Sequence, residues 1–80
     1  MKAVVHVFLK PGVLDVQGKA VQSALHGLGW TDVEEVRVGR AIEFELGGGD
    51  EADAKNRVEA MCDRLLANPV IEGYRVDIVP

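Results

Sequence analysis

Few residues in this 80-residue chain could do chemistry, and none of them gathers into a set. His6 and His26 are the only imidazoles and Cys62 is the single thiol. The lone Cys and the two His lack zinc-ligand spacing, and one Cys cannot form an intramolecular disulfide. A base or nucleophile needs a partner within hydrogen-bond reach, and neither His6 nor His26 has one nearby in sequence. Cys62 falls in an apolar stripe, where a thiol acts as a small hydrophobe. Glu43 and Glu45 share one strand face, the spacing of a carboxylate pair, but equally that of a solvated strand. Gly47-Gly48-Gly49 could cradle a phosphate only without Asp50, Glu51 and Asp53 directly after it, and no Lys-Ser/Thr completes a P-loop. In Asp15-Val16-Gln17-Gly18 a carboxylate, an amide and a bare backbone patch open a helix. Glycine there costs helix propensity, which leaves close approach of another chain and simple local packing both open.

The elements that must carry these residues follow from periodicity. Ala3, Val5, Val7 and Leu9 alternate as the core face of a strand, closed by Lys10-Pro11-Gly12. Asp15 is a helix N-cap, Ala20, Val21, Ala24, Leu25 and Leu28 form one helical stripe, and Gly29 suits the left-handed position past the helix end. Trp30 is expected to pack back across that end. Val33–Val38 and Ala41–Leu46 read as two strands joined by Gly39-Arg40, as a tight hairpin in preference to one bent continuous strand. Asp50 caps a second helix, whose apolar residues Ala54, Val58, Met61, Cys62 and Leu65 recur at helical spacing. Asn68-Pro69 must end that helix at Ala67 or Asn68, because proline pushes the residue before it out of the α region. Val70 and Ile71 lead into a last strand, Tyr74–Val79.

The predicted fold is α+β and ferredoxin-like: a β-α-β-β-α-β order giving an antiparallel four-stranded sheet with two helices on one face, all as one domain over residues 1–80. The open sheet face would carry Val4, His6 and Phe8 among charges, a surface suited to another subunit. A core this small supplies only ~3–5 kcal/mol unless stapled or oligomeric, and no staple exists, so self-association is expected. Thirteen acids against nine bases leave a net charge of −4 with no basic run, which argues against nucleic acid. No apolar stretch approaches the ~20 residues of a membrane helix. The single Cys fits a reducing, cytoplasmic setting.

Four stretches also carry a family resemblance: Gly12-Val13-Leu14-Asp15-Val16-Gln17-Gly18-Lys19-Ala20-Val21, Ala24-Leu25 through Leu28-Gly29, Val36-Arg37-Val38-Gly39-Arg40, and Met61-Cys62 with Leu65 to Glu72. Through them the chain resembles the PurS family, the small subunit of multi-subunit phosphoribosylformylglycinamidine (FGAM) synthase, over essentially its whole length. Val16 stands where the family usually has proline, and the Gly47–Gly49 loop is plainer than the family's. The resemblance implies a subunit of an ATP-dependent ligase of purine biosynthesis, with no active site or cofactor of its own. The complex would use ATP, magnesium and glutamine, and this chain would dock a synthetase subunit to a glutaminase subunit and assist ammonia transfer. It would form a homodimer, able to pair again into a tetramer. The positions matching the family's motifs, and expected to make partner contacts, are Asp15, Gln17, Gly18, Arg37, Gly39, Arg40, Asn68, Pro69 and Glu72. A regulatory ferredoxin-like domain that binds a small ligand is the alternative.

Overall fold

A computed structural model describes residues 1–80. The order is β1 (Lys2–Leu9), α1 (Val16–Gly27), β2 (Arg40–Glu45), α2 (Glu51–Met61) with a π-helical extension at Cys62–Leu66, and β3 (Glu72–Val79). β1 is the central strand of a three-stranded sheet ordered β2-β1-β3, antiparallel to both neighbours. Its register places Val5 between Ile42 and Val76, and Ala3 between Phe44 and Ile78. The odd residues of β1 therefore share a face with the even residues of its neighbours, as pleating requires. Ala3, Val5 and Val7 on that face pack with Val58, Cys62 and Ala67.

The four-stranded expectation is overturned. Residues 33–39 are extended but pair with no strand, and run directly into β2. The bent continuous path thus replaces the hairpin. Gly39 sits against the end of β1, where an added Cβ would lie 2.6 Å from the Val7 carbonyl oxygen, so the chain enters the sheet beside β1 instead of doubling back along β2. The expectation of two helices on one sheet face fails with it. α2 packs on the sheet, whereas α1 makes no more than marginal contact with any strand or with α2. Val21 and Leu28 of the α1 stripe stay exposed.

Both helices begin as their caps dictate. Asp15 accepts a hydrogen bond from Gly18 N–H at 2.7 Å, and Asp50 accepts one from Asp53 N–H at 2.7 Å. α1 closes with Gly29 at φ +106°, while Gly29 N–H donates to His26 and Trp30 N–H to Leu25. That pair of bonds is a Schellman motif and satisfies carbonyls left free by the helix end. The Trp30 backbone closes the helix, but its indole does not pack back across it and is exposed.

The second helix departs from its stripe at Cys62. Ala67 N–H donates to the Cys62 carbonyl at 3.0 Å, a five-residue spacing, which inserts one residue into the helical phase. Ala54, Val58 and Cys62 remain fully buried, but Leu65 rotates out to 82% exposure. Met61 is also exposed. Leu66 and Ala67 take the inward positions instead. Ala67 is already extended, at φ −131° and ψ 148°, so the helix ends before Asn68-Pro69, within one residue of where the proline requires.

Candidate partner-binding site

Asp15 is the hub from which the first part of the site is built. Its side chain is buried, at 6% exposure, although capping carboxylates ordinarily face water. One oxygen, Oδ1, accepts from Gly18 N–H at 2.7 Å, and the other, Oδ2, accepts from Val38 N–H at 2.7 Å. A single carboxylate therefore ties the start of α1 to an extended segment more than twenty residues away. The two N–H donors, Val38 first and Gly18 second, hold its pKa below the usual carboxylate value, with a smaller contribution from Arg37. Gly18 is needed where α1 crosses that segment: a Cβ there would lie 2.1 Å from the Val36 carbonyl oxygen. The close approach foreseen at Gly18 is made within the chain.

Arg37 continues the same seam. Its guanidinium donates to the carbonyls of Val13 at 3.0 Å, Lys10 at 3.2 Å and Leu9 at 3.4 Å, gathering the turn after β1. At the far end of α1, His26 Nε2 lies 2.7 Å from the Val33 carbonyl oxygen. An oxygen acceptor requires that nitrogen to carry the proton. Helix α1 and residues 33–38 thus run antiparallel and are fastened at both ends.

The second cluster surrounds Glu72. Arg40 reaches it with two bonds, Nη1 to Oε2 at 2.7 Å and Nη2 to Oε1 at 3.4 Å, and also donates to the Leu66 carbonyl at 2.7 Å. Glu72 Oε1 accepts from Asn68 N–H at 2.7 Å, and Glu72 N–H donates to the Asn68 carbonyl at 2.7 Å. The Arg40 bond first, then the Asn68 N–H, lowers the Glu72 pKa. Lys10 Nζ donates to the Pro69 carbonyl at 2.6 Å. The result is a rigid turn at the end of the π-helical segment, with Val70 at 80% exposure on its outside.

Sequence analysis had Arg37 and Arg40 reaching for partner carboxylates, yet both guanidiniums are engaged by groups of their own chain. The nine expected residues fall into the two clusters, with Gly39 between them. Asp15, Gln17, Gly39, Arg40 and Glu72 line one hollow of about 200 Å³ beside the end of β1. Gly18, Arg37, Asn68 and Pro69 lie outside it. Sequence reasoning missed the carbonyl of Val36, the N–H of Val38 and the His26 bond. No local pattern marks a backbone group as a partner, so only Gly18, costly in a helix, hinted at the crossing.

Elsewhere the candidate groups are occupied or apart. Cys62 is buried in the core, and desolvation pushes its thiol pKa up. The Tyr74 hydroxyl donates to Asp63 at 3.1 Å. His6 lies 3.5 Å from Asp77 on the open sheet face, and Lys2 pairs with Glu43 at 3.1 Å. No three His, Cys, Asp or Glu side chains meet as a metal site would need, and no helix is long and apolar enough to cross a membrane.

A small α+β protein whose charged groups brace its own backbone, and which leaves a helix face uncovered, belongs to the class of assembly subunits. The particular family is shown by comparison with known proteins: residues 2–80 match the PurS family model, described as phosphoribosylformylglycinamidine (FGAM) synthase, and the chain belongs to that family. The PurS subunit of FGAM synthase from Synechocystis sp. is 50% identical over 92% of this chain and 74% of its own length. That from Bacillus subtilis is 46% identical over 96% of this chain and 90% of its own. The crystal structure of Methanocaldococcus jannaschii PurS, one of the subunits of formylglycinamide ribonucleotide amidotransferase, superposes with a TM-score of 0.86 at 42% identity, covering 95% of this chain and 92% of that one. A chain in the PurLQS structure from Thermotoga maritima also gives 0.86, at 29% identity over 95% and 93% of the two chains.

Proposed function

We propose that this chain is the small, non-catalytic subunit of an FGAM synthase, working in purine biosynthesis by holding a synthetase subunit against a glutaminase subunit. The observation that carries this reading is the match of residues 2–80 to the PurS family, with relatives covered over most of their length. The arrangement of the nine motif residues is consistent with it. They form no reacting set, and they stiffen two surface features, the α1 segment and the Asn68–Glu72 turn, that offer apolar side chains outward. Pre-bracing a contact surface lowers the ordering cost of binding.

In this reading ATP, magnesium and glutamine are handled by the partner subunits, and residues 1–80 act as one domain in the cytoplasm. The chain self-associates as a homodimer that can pair again, and assists passage of ammonia between its partners. The test is reconstitution. Mixed with the synthetase and glutaminase subunits, the chain should co-elute with both and raise glutamine-dependent FGAM formation, leaving the ammonia-dependent reaction of the synthetase little changed. Full glutamine-dependent activity without it would sink the proposal.

A further inference from the structure

The molecule is too extended for its length. Its radius of gyration is 15.9 Å, with extents of 49 × 26 × 14 Å, whereas a compact 80-residue domain has a radius near ~12 Å. The exposed area is 5519 Å² for 8.7 kDa, and a compact monomer of that mass exposes about 4,700 Å². The excess, roughly 800 Å² per chain, equals the area that one partner contributes to a standard-size interface.

The excess is localised. Residues 10–39 form an arm in which α1 lies along the extended 33–38 segment, fixed by Asp15, Gly18 and His26. The arm leaves the sheet through Gly39. Along α1, Val21 and Leu28 are exposed, so the helical stripe has no partner in its own chain. On the sheet, the outer edge of β2 is unpaired and only α2 covers the core face. Ile42, Phe44 and Leu46 of the β2 side are left only partly buried. The arm lacks a sheet, and the sheet lacks one strand and one helix. An arm folded back at Gly39 would supply both, completing the four-stranded β-α-β-β-α-β architecture, but its own path carries it away.

We infer that two copies of this chain exchange these arms, the 33–38 segment of each pairing with the free β2 edge of the other while α1 covers the partner's sheet face. Such a contact is isologous and closes with two-fold symmetry, so it yields a dimer and no filament. It satisfies the unpaired β2 edge, a row of free N–H and C=O groups that otherwise invites uncontrolled pairing. The occupant is a second copy because the missing elements are the ones this chain carries in the arm. The inference rests on the self-association proposed above and specifies its geometry.

Sedimentation velocity at micromolar concentration tests it on three proteins: the wild type, the double variant Val21→Glu/Leu25→Glu, and a chain with a short Gly-Ser insertion between Gly39 and Arg40. The wild type should sediment as a dimer. The double variant should keep its circular dichroism yet dimerise at least ~100-fold more weakly, because each buried apolar side chain is exchanged for a carboxylate that finds no partner. The insertion should give a compact monomer, since a longer hinge lets the arm reach its own sheet. A monomeric wild type would overturn both this inference and the self-association it rests on. A folded double variant that dimerises as tightly as wild type would overturn the exchange alone. Should the double variant unfold, the insertion decides, and its persistence as a dimer refutes the exchange.

Discussion

Gly18→Ala separates local propensity from tertiary packing, because the two give opposite signs. In a helix interior alanine is better than glycine by ~1 kcal/mol, and Gly18 has no positive φ to forbid it. By propensity alone the variant is stabilised. The structure places the new methyl 2.1 Å from the Val36 carbonyl oxygen and 2.9 Å from Asp15 Cγ. Relief requires the 33–38 segment to move more than an ångström from α1, which strains the bonds from Gly18 and Val38 to Asp15. Overpacking of this kind costs ~1–3 kcal/mol, so after the propensity gain the net expectation is a loss of about 1–2 kcal/mol. For a domain of this size each 1 kcal/mol shifts Tm by ~4–8 °C. Thermal melts by circular dichroism, at one fixed chain concentration, should therefore show a fall of at least ~4 °C. Gly27→Ala is the internal control, since nothing lies within 4 Å of its added Cβ, and it should gain up to ~1 kcal/mol. A Gly18→Ala melt as high as that of Gly27→Ala would refute the crossing of α1 and Val36.

Three other outcomes are expected. Helical spacing makes Leu65 a core residue worth ~2–5 kcal/mol on truncation, but the π-helical turn exposes it, so Leu65→Ala should cost less than ~0.5 kcal/mol in urea denaturation while fully buried Val58→Ala costs ~2 kcal/mol or more. Asp15 and Glu72 both have lowered pKa values in the folded chain, so the stability they contribute is present above the usual carboxylate range near ~4 and is lost as pH falls through their lower folded values. Asp15→Asn and Glu72→Gln should accordingly each flatten the acid limb of a stability-versus-pH curve; an unchanged limb would contradict the bonds to Val38, Gly18, Arg40 and Asn68. Cys62, buried and with its thiol pKa raised, should resist a thiol reagent in the native state and react at the rate of unfolding. Fast native labelling would show that the face of α2 is misplaced.

The elements themselves were legible in the chain wherever one local interaction decides them. Asp15 and Asp50 cap helices because their carboxylates meet N–H groups three residues on, and Gly29 ends a helix because it can take positive φ. Pro69 bounds another helix by its ring, and alternation in β1 places Ala3, Val5 and Val7 inside. The motif positions were legible as well, through the family resemblance, though not the bonds they make. Two features depended on distant groups. The phase of the helix past Cys62 was set by packing, which brings Leu66 and Ala67 inward through a π-helical bond at the expense of Leu65. The course of residues 33–39 was set by the Val38 N–H on Asp15, the Arg37 bonds to the turn after β1 and the seat of Gly39 on Val7. Local pattern alone, strand residues on either side of Gly39-Arg40, fits a hairpin and a bent strand equally. Sequence spacing could place an extended segment there, but only the three-dimensional arrangement could choose which surface it meets, because that choice depends on backbone groups every residue possesses.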